Sequence, residues 1–297
     1  MKIAITGATG FIGNELSKYL MEKGHEVIAI SRMQAFPKLE ATAFFTWDHI
    51  EKNPVALNGI DAIISLAGES INQRWTRTAK QRILQSRLSV AKKLAKIVEQ
   101  LSQKPKVLIN ASGMSIYGTS ETKAFDENSP ANITDFLASV VEKWEEAIDQ
   151  IPTARIIKLR IGVVLGNQGG AYPKMILPYK LGVGGKVGSG RQWISWVHIK
   201  DMIRLIEFCL NHEQITGPVN GTAPYPVTND QFGRTVAQVL QRPHWMPVPA
   251  WMMKILFGEL SVLLLEGQKV IPQKLLSQGF QFHFATIEEA IRDLSGK

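Results

Sequence analysis

Three glycines spaced three residues apart, Gly7, Gly10 and Gly13, lie between a short apolar run and a segment with helical periodicity. A turn of this kind lets backbone amides approach a pyrophosphate, and the following helix directs free N–H groups and the positive end of its dipole at the phosphates. The turn also lies within a strand–helix–strand unit of about 30 residues, which is the context that a dinucleotide site requires. We therefore predict a dinucleotide site at this turn. The residues predicted to form it are Gly7, Thr9, Gly10, Phe11, Ile12 and Gly13.

The end of the second apolar run indicates which dinucleotide is bound. Sites specific for NAD place an Asp or Glu at this point to hold the ribose 2′-hydroxyl. This run ends instead in Ser31 and Arg32, and a hydroxyl with a guanidinium suits a 2′-phosphate. We predict NADP(H) as the cofactor and keep NAD(H) as the less favoured alternative. That Arg32 is an ordinary solvated arginine also remains open.

Apolar runs and helical segments alternate through the first half of the chain. Several runs are almost wholly apolar, as expected for strands that are buried on both faces of a parallel sheet. The alternation predicts an α/β fold built on a Rossmann-type doubly wound parallel sheet. The predicted strands are residues 3–6, 26–30, 43–46, 62–66, 106–110 and 155–159. The predicted helices are residues 12–23, 76–102 and 134–151.

After residue 160 the pattern changes, and we predict two domains. Residues 1–160 form the NADP(H)-binding domain, and residues 161–297 form a smaller substrate lobe that partly returns to the sheet. Expected in the lobe are helices over 173–180, 198–212 and 229–240, a late strand over 218–221, and two or three helices between residues 251 and 294. The most hydrophobic stretch, residues 248–265, contains Lys254, Gly258 and Glu259. These interruptions favour a buried or interface helix over a membrane span.

The composition bounds the partners and the compartment. The net charge is +8, but the Lys and Arg residues are scattered and no zinc-finger, RRM or helix-turn-helix pattern is present. A basic excess also suits a protein that binds a polyanionic cofactor, so nucleic acid is the least favoured partner. The single cysteine, Cys209, excludes an internal disulfide and lies in an apolar run. Since no signal-peptide pattern precedes the first strand, we expect a cytoplasmic monomer or homodimer that acts on an unknown small molecule, without a membrane partner.

Later motifs carry a family resemblance. Residues 66–69 (Leu-Ala-Gly-Glu) and 111–118 (Ala-Ser-Gly-Met-Ser-Ile-Tyr-Gly) follow apolar strands, Arg160 closes a third, and residues 197–201 (Val-His-Ile-Lys-Asp) open a helix. With the glycine turn, these motifs resemble the extended, epimerase-like branch of the short-chain dehydrogenase/reductase superfamily along nearly the whole chain. The resemblance implies that further residues contact the cofactor, namely Leu66, Ala67, Gly68 and Ser112.

A narrower resemblance is to a subfamily known only as epimerase family proteins. It rests on residues 67–71, 74–75, 188–198 and 217–220, and on a distinctive C-terminal region over 259–270. It implies a nucleotide-binding fold and leaves the substrate open.

The catalytic positions of the superfamily are replaced in this chain. Active members use a Tyr-x-x-x-Lys pair on a helix and a Ser on the preceding strand, because a free phenol titrates at about 10 and needs activation to transfer protons at neutral pH. Alignment on the Tyr-Gly pair at 117–118 puts Gly113 at the Ser position, Phe136 at the Tyr position and Val140 at the Lys position. The chemistry of the superfamily therefore cannot simply be transferred to this chain.

Other residues are then the candidates for catalysis. Tyr117 and Ser112 lie near the expected nicotinamide end, Glu69 follows a strand end where open sheets place ligands, and Lys143 lies one helical turn beyond the expected Lys. Each has a structural alternative: Tyr117 as a packing aromatic, Glu69 as a carboxylate at a helix N-terminus, and Lys143 as a solvated lysine.

A second group of residues suggests substrate binding. Arginines with aromatic side chains bind anionic or planar molecules by ion pairing and stacking, but the same aromatics also close a lobe against a sheet. The group comprises Arg160, Arg191, Trp193, Trp196 and His198. No spacing of His, Cys and carboxylate residues supports a metal site.

Three functions are therefore considered. The first is an NADP(H)-dependent oxidoreductase or epimerase-like enzyme with non-standard catalytic residues. The second is a regulatory or sensor protein that holds NADP(H) without turning it over, which the replaced Ser, Tyr and Lys favour. The third, which the composition disfavours, is a basic nucleic-acid-binding protein.

Overall fold

A seven-stranded sheet lies at the centre of the computed structural model, which describes residues 1–32 and 40–297. The strands, in chain order, are β1 (Lys2–Thr6), β2 (Glu26–Ser31), β3 (Ala43–Thr46), β4 (Ala62–Ser65), β5 (Val107–Gly113), β6 (Ala124–Phe125), β7 (Ile156–Ile161), β8 (Val163–Leu165), β9 (Trp193–Ile194), β10 (Trp196–His198), β11 (Gly217–Gly221), β12 (Val227–Thr228) and β13 (Lys269–Val270). The helices are α1 (Phe11–Glu22), α2 (Trp47–Lys52), α3 (Arg77–Gln100), α4 (Phe136–Ile148), α5 (Tyr172–Lys180), α6 (Ile199–Asn211), α7 (Asn229–Leu240), α8 (Ala250–Phe257), α9 (Val262–Leu265), α10 (Gln273–Ser277) and α11 (Ile287–Ser295).

The strand order of the sheet is β11-β7-β5-β4-β1-β2-β3, and every pairing in it is parallel. Because the chain runs outward from β1 in one direction and then crosses to β4, the order reverses between β1 and β4. In open α/β sheets, such a switch point forms a crevice at the carboxyl ends of the strands. The predicted Rossmann-type doubly wound sheet is confirmed.

Apolar side chains hold helices on both faces of the sheet. Ile3 and Ile5 of β1 point to one face, where they pack with α1 and α6, and Ala4 points to the other, where α2, α3 and α4 pack. All three side chains are fully buried. This explains why the central strands have no alternating polar residues in the sequence.

The order of predicted elements agrees with the structure, and their ends differ by at most three residues. The α2 helix was missed because six residues are too few for a helical period to stand out. The short strands β6, β8, β9, β10, β12 and β13 were missed for the same reason, since each has only two or three residues.

The second half of the chain adds three two-stranded pairs, β8 with β10, β9 with β12, and β6 with β13. The β11 strand returns to the main sheet beside β7, in register from Gly217 opposite Ile157 to Gly221 opposite Ile161. No helix within the described ranges is long and apolar enough to cross a bilayer.

The C-terminal region differs from the prediction in two ways. It contains four helices, α8 to α11, instead of two or three. The stretch 248–265 is not one helix: α8 ends at Gly258, which has φ +57°, and a 3₁₀ turn separates it from α9. Of the two predicted alternatives, the buried helix is wrong, because neither α8 nor α9 has a buried residue and Ile255 is 71% exposed, and the interface helix stays a prediction. Glycine tolerates this backbone conformation and ends the helix where hydrophobicity alone predicts continuation.

His198 ties the second half of the chain to its C-terminal helix. Its Nδ1 accepts a hydrogen bond from the Lys200 backbone N–H, so the side chain caps α6. Its Nε2 lies 3.3 Å from Asp293 of α11, and the ring is fully buried against Phe284. Burial lowers the pKa of His198 to about 4, although Asp293 acts in the opposite direction. The histidine is therefore neutral in the folded chain at pH 7.

Removing this imidazole is expected to reduce the acid sensitivity of the fold. The unfolded chain binds a proton at a pKa of about 6.5 and the folded chain only at about 4, so the unfolding free energy falls as the pH drops through this window. At about pH 4.5 the loss amounts to roughly 2 kcal/mol. In His198→Asn, whose amide oxygen still caps α6, urea midpoints should fall less between about pH 7 and pH 4.5 than in the wild type.

His49→Asn, a change at an exposed histidine, is the matched control. Equal pH dependence in His198→Asn and the wild type contradicts the assignment of His198 as a buried neutral group.

Candidate functional site

The glycine turn connects β1 to α1 and touches the end of β4. Gly7 has φ +72°, and a Cβ on it would lie 2.8 Å from the Ala67 nitrogen. A Cβ on Gly13 would overlap the carbonyl oxygen of Gly7. Both positions therefore require glycine, for the turn and for close packing of the helix. Thr9 and Gly10 are exposed at the tip of the turn.

The first turn of α1 is open to a ligand. Gly10 is its N-cap, no side chain caps the helix, and its first turn has no acidic residue. The first amides of a helix lack intrahelical partners, and they favour an anion. The Phe11 ring lies against the backbone of Gly166 and Gly169, so the loop after β8 closes over this end of α1. These residues fit the diphosphate of a dinucleotide.

The other predicted cofactor residues lie along the same edge of the sheet. Ser31 is buried at the end of β2, and Arg32 follows it as an exposed side chain. At the end of β4, the Leu66 amide donates to the Thr6 carbonyl and the Ala67 amide lies 3.3 Å from Thr6 Oγ1. The structure thus brings the turn and the ends of β2 and β4 side by side.

A cation that the sequence analysis missed lies beside this edge. Arg87 of α3 lies so close to Gly68 that a Cβ there would be 3.2 Å from the guanidinium carbon. Its Nη1 donates to the carbonyls of Glu69 and Ile83, and the group lies 5.0 Å from the centre of the Trp144 ring. Burial lowers the pKa of Arg87 to about 10, with Glu69 acting against it. No carboxylate within the described ranges forms an ion pair with Arg87. The sequence analysis did not single out Arg87, because α3 contains many other lysines and arginines.

Two candidate catalytic residues belong to a buried hydrogen-bonded network. The Ser112 hydroxyl donates to Glu145 at 2.6 Å, and Arg160 donates to both oxygens of Glu145 at 2.9 Å. Arg160 also donates to the Tyr117 hydroxyl at 2.9 Å, and that hydroxyl donates to Asn220 at 2.8 Å.

Tyr117 is fully enclosed by this network. Its side chain has no exposed surface, and its ring stacks on Phe125. Burial raises the pKa of Tyr117, against the opposing influence of Arg160. A phenol that is buried and already bonded on both sides fits the structural alternative of the sequence analysis better than an acid that meets a substrate.

The other two candidate catalytic residues lie apart from this network. The Glu69 carboxylate accepts from Gln73 and lies 3.6 Å from Arg82, and the Glu69 amide donates to Ser86. Lys143 is exposed on α4. The structure therefore does not gather Tyr117, Glu69 and Lys143 around one point.

The predicted substrate-binding group is also divided. Arg191 is exposed and pairs with Glu121 at 3.1 Å, and the Trp193 indole donates to the Glu121 carbonyl. Trp196 is fully buried in the core of the second half, and its indole donates to Tyr225. With Arg160 in the buried network and His198 under α11, the structure does not bring these residues together in one site.

A cleft of about 740 Å³ opens between the N-terminal half and the C-terminal segment. One wall is formed by Trp75 before α3 and Phe136 at the start of α4, whose rings meet edge to face at 5.4 Å. The opposite wall includes Ala250, Val262 and Leu265.

The replaced catalytic positions lie in or behind the first of these walls. Phe136 and Val140 pack with Trp75 and Val262 in one apolar cluster. A Cβ on Gly113 would lie 3.1 Å from a Val141 methyl group and 3.4 Å from the Ser115 hydroxyl. At the positions where the resemblance places the Tyr and the Lys, the structure therefore has apolar side chains, and at the Ser position it has a glycine beside Val141 and Ser115.

Comparison with known proteins extends over the whole chain. The model of the NAD dependent epimerase/dehydratase family matches residues 3–220, and a domain of unknown function, DUF1731, matches residues 248–294. Epimerase family protein YfhF of Bacillus subtilis is 41% identical, over 99% of this chain and 98% of the relative. Epimerase family protein SDR39U1 of mouse is 37% identical, over 99% of each.

Solved structures agree with this match. The crystal structure of human epimerase family protein SDR39U1, isoform 2, with NADPH has a TM-score of 0.92 and 37% identity, and the match covers 100% of both chains. The UDP-glucose 4-epimerase of Thermus thermophilus, in complex with NAD, has a TM-score of 0.77 at 16% identity, which is a likeness of fold alone; the match covers 100% of this chain and 99% of that one.

Breaking the buried ion pair is expected to destabilise the fold strongly. Glu145→Gln leaves Arg160 as a buried cation without its counter-charge, which costs about 3–5 kcal/mol. Chemical denaturation should show this as a lower midpoint with an unchanged slope. Glu146→Gln, at the adjacent exposed position, should leave the midpoint nearly unchanged. A Glu145→Gln protein as stable as Glu146→Gln would show that the pair does not hold α4 on the sheet.

Proposed function

The chain belongs to the NAD dependent epimerase/dehydratase family, and from this premise we propose that it binds NADP(H) across the carboxyl ends of β1, β2, β4 and β5. The diphosphate is held by the backbone of Gly7 to Gly13 and the N-terminus of α1, with Arg87 supplying a positive charge beside Gly68. The nicotinamide lies towards Ser112 and Gly113 at the end of β5. When bound, the cofactor supplies or accepts a hydride.

The choice of NADP(H) over NAD(H) is supported by the end of β2. Neither Ser31 nor Arg32 is acidic, and no Asp or Glu follows before Glu40. An acid here repels a 2′-phosphate, whereas a guanidinium forms charge-assisted hydrogen bonds with it. The human relative of known structure was crystallised with NADPH.

We further propose that the chain does not perform the tyrosine-dependent proton transfer of the epimerases. The observation that carries this proposal is that Phe136 and Val140, which stand where the acid and its activating lysine would stand, pack in an apolar cluster, while Gly113 replaces the serine. Proton transfer requires a titratable group within hydrogen-bonding distance of the reacting atom. The protein therefore holds NADP(H) as a binding or sensor protein.

A second function, hydride transfer to a substrate without a tyrosine acid, is favoured by the cleft beside Phe136. Hydride transfer depends on placing the nicotinamide against an acceptor, which an apolar cleft can do by shape. A cytoplasmic location and a monomeric or homodimeric state stay predictions.

The two cations are expected to affect cofactor binding differently. Arg32→Glu should weaken NADPH about tenfold or more, because only NADPH has the 2′-phosphate, and should leave NADH unchanged or bound more tightly, because an acid here can hold the ribose 2′-hydroxyl. Arg87→Met should weaken both cofactors by a similar factor, because both have the diphosphate. Calorimetric titration of the wild type and the two variants with NADPH and NADH measures this directly.

Arg77→Met, at an exposed arginine of the same helix as Arg87, is the control and should bind both cofactors like the wild type. An unchanged preference in Arg32→Glu disproves the assignment of the 2′-phosphate. Equal affinity of wild-type protein for NADPH and NADH disproves the choice of NADP(H).

No interconversion of UDP-glucose and UDP-galactose is expected from the protein with either cofactor, because the cleft offers no acid or base at the epimerase positions. Chromatography of the sugar nucleotides measures this. NADPH oxidation over a panel of carbonyl compounds, followed by absorbance, separates the two candidate functions. Sustained oxidation that is lost in Tyr117→Phe contradicts both the binding function and the structural role of Tyr117.

A further inference from the structure

Most polar side chains that line the cleft are already engaged by the protein. Lys80 pairs with Glu259 across the cleft, and the Lys80 ammonium lies 5.2 Å from the centre of the Phe136 ring. Glu266 accepts from Thr119 at 2.9 Å, and Asp135 accepts the Ala138 amide at 2.7 Å as the cap of α4. These contacts pair the charges of Lys80 and Glu259 and occupy one oxygen each of Glu266 and Asp135.

One charged group at the cleft is not engaged. Lys254 of α8 lines the cleft and is exposed, and it has no ion pair or hydrogen bond with the residues that the structure describes. Its charge is therefore available to a ligand at the rim. The two carboxylates nearest to it in sequence, Glu259 and Glu266, are held by Lys80 and Thr119.

The remaining lining is apolar and includes an aromatic corner. Trp75 is 8% exposed and its indole N–H is satisfied by the Ile71 carbonyl, so the ring presents only carbon to the cleft. Phe136 meets it edge to face, and Val262 and Leu265 lie on the other wall. Against these walls an apolar ligand body is favoured, because hydroxyls buried there would lose their bonds to water.

We propose that the cleft takes a ligand with an apolar body and one anionic group, which pairs with Lys254, and that it does not take a nucleoside diphosphate sugar. This inference rests on the proposed function, because it identifies the class of molecule that lies against the bound NADP(H). Charge complementarity at Lys254 and apolar complementarity at Trp75 and Phe136 together define the class: an aromatic or aliphatic carboxylate, or an acid of the same shape.

The test uses a matched pair of fluorescent probes, the anion anilinonaphthalene sulfonate and the neutral N-phenylnaphthylamine, which share an apolar body. The anion should bind about tenfold more tightly to the wild type. Lys254→Met should remove this difference and leave the neutral probe unaffected. Ala250→Trp and, independently, Val262→Phe should weaken both probes about tenfold or more by filling the cleft, and thermal unfolding of both variants checks that they are folded.

Ile255→Ser is the control for binding on the exposed face of α8, where Ile255 is 71% exposed and does not line the cleft. It should bind both probes like the wild type. Loss of probe binding in Ile255→Ser, or its persistence in both filling variants, places the probes outside the cleft and overturns the proposal. Displacement of the probe by UDP-glucose also overturns it.

NADPH affinity, measured by calorimetry on the same proteins, separates this proposal from the proposed function. The filling variants should bind NADPH like the wild type, since Ala250 and Val262 lie away from the glycine turn. If wild-type protein binds no NADPH, the proposed function fails whatever the probes do. If NADPH binds but the two probes bind equally, only the inference about the ligand fails.

Discussion

The buried ion pair between Glu145 and Arg160 is the constraint on which the arrangement of the site depends. Removing two charges from water is costly, and the cost is offset only where geometry and hydrogen bonds are good. Here both carboxylate oxygens accept from Arg160, and one also accepts from Ser112. The pair fixes α4 on the sheet between β5 and β7. It thereby sets where Phe136, at the start of α4, meets the cleft.

The same pair explains why Tyr117, which the sequence analysis named as a catalytic candidate, has a structural role. Arg160 reaches Tyr117, and Tyr117 reaches Asn220 of β11, so the network extends across three strand ends. It holds the backbone of Ser112 and Gly113 in place from behind. A hydrogen-bonded network whose members are paired with one another gives rigidity to the strand ends that it joins.

The parts of the molecule that local patterns determine were predictable. Buried strands such as β1 and glycine turns such as that at Gly7 have their cause in a few adjacent residues, so their types and places followed from the sequence. Arg87 and Glu145 have their roles because of partners outside their own helices: Arg87 lies against Gly68, and Glu145 pairs with Arg160. No local pattern distinguishes either residue from its charged neighbours on the same helix. Gly258, at which α8 ends, was noted in the sequence, but the prediction of one helix over 248–265 gave more weight to the hydrophobicity of that stretch.

The proposed cofactor site and the cleft are built from different kinds of groups. The proposed cofactor site consists mainly of backbone groups and two arginines, Arg32 and Arg87. The cleft joins Trp75 and Phe136 to a C-terminal segment whose other face is exposed and apolar. Phe136 and Val140 belong to one apolar cluster, and Phe136 also lines the cleft. The two proposals, that tyrosine-dependent proton transfer is absent and that the cleft favours an apolar ligand, therefore depend on the same pair of side chains.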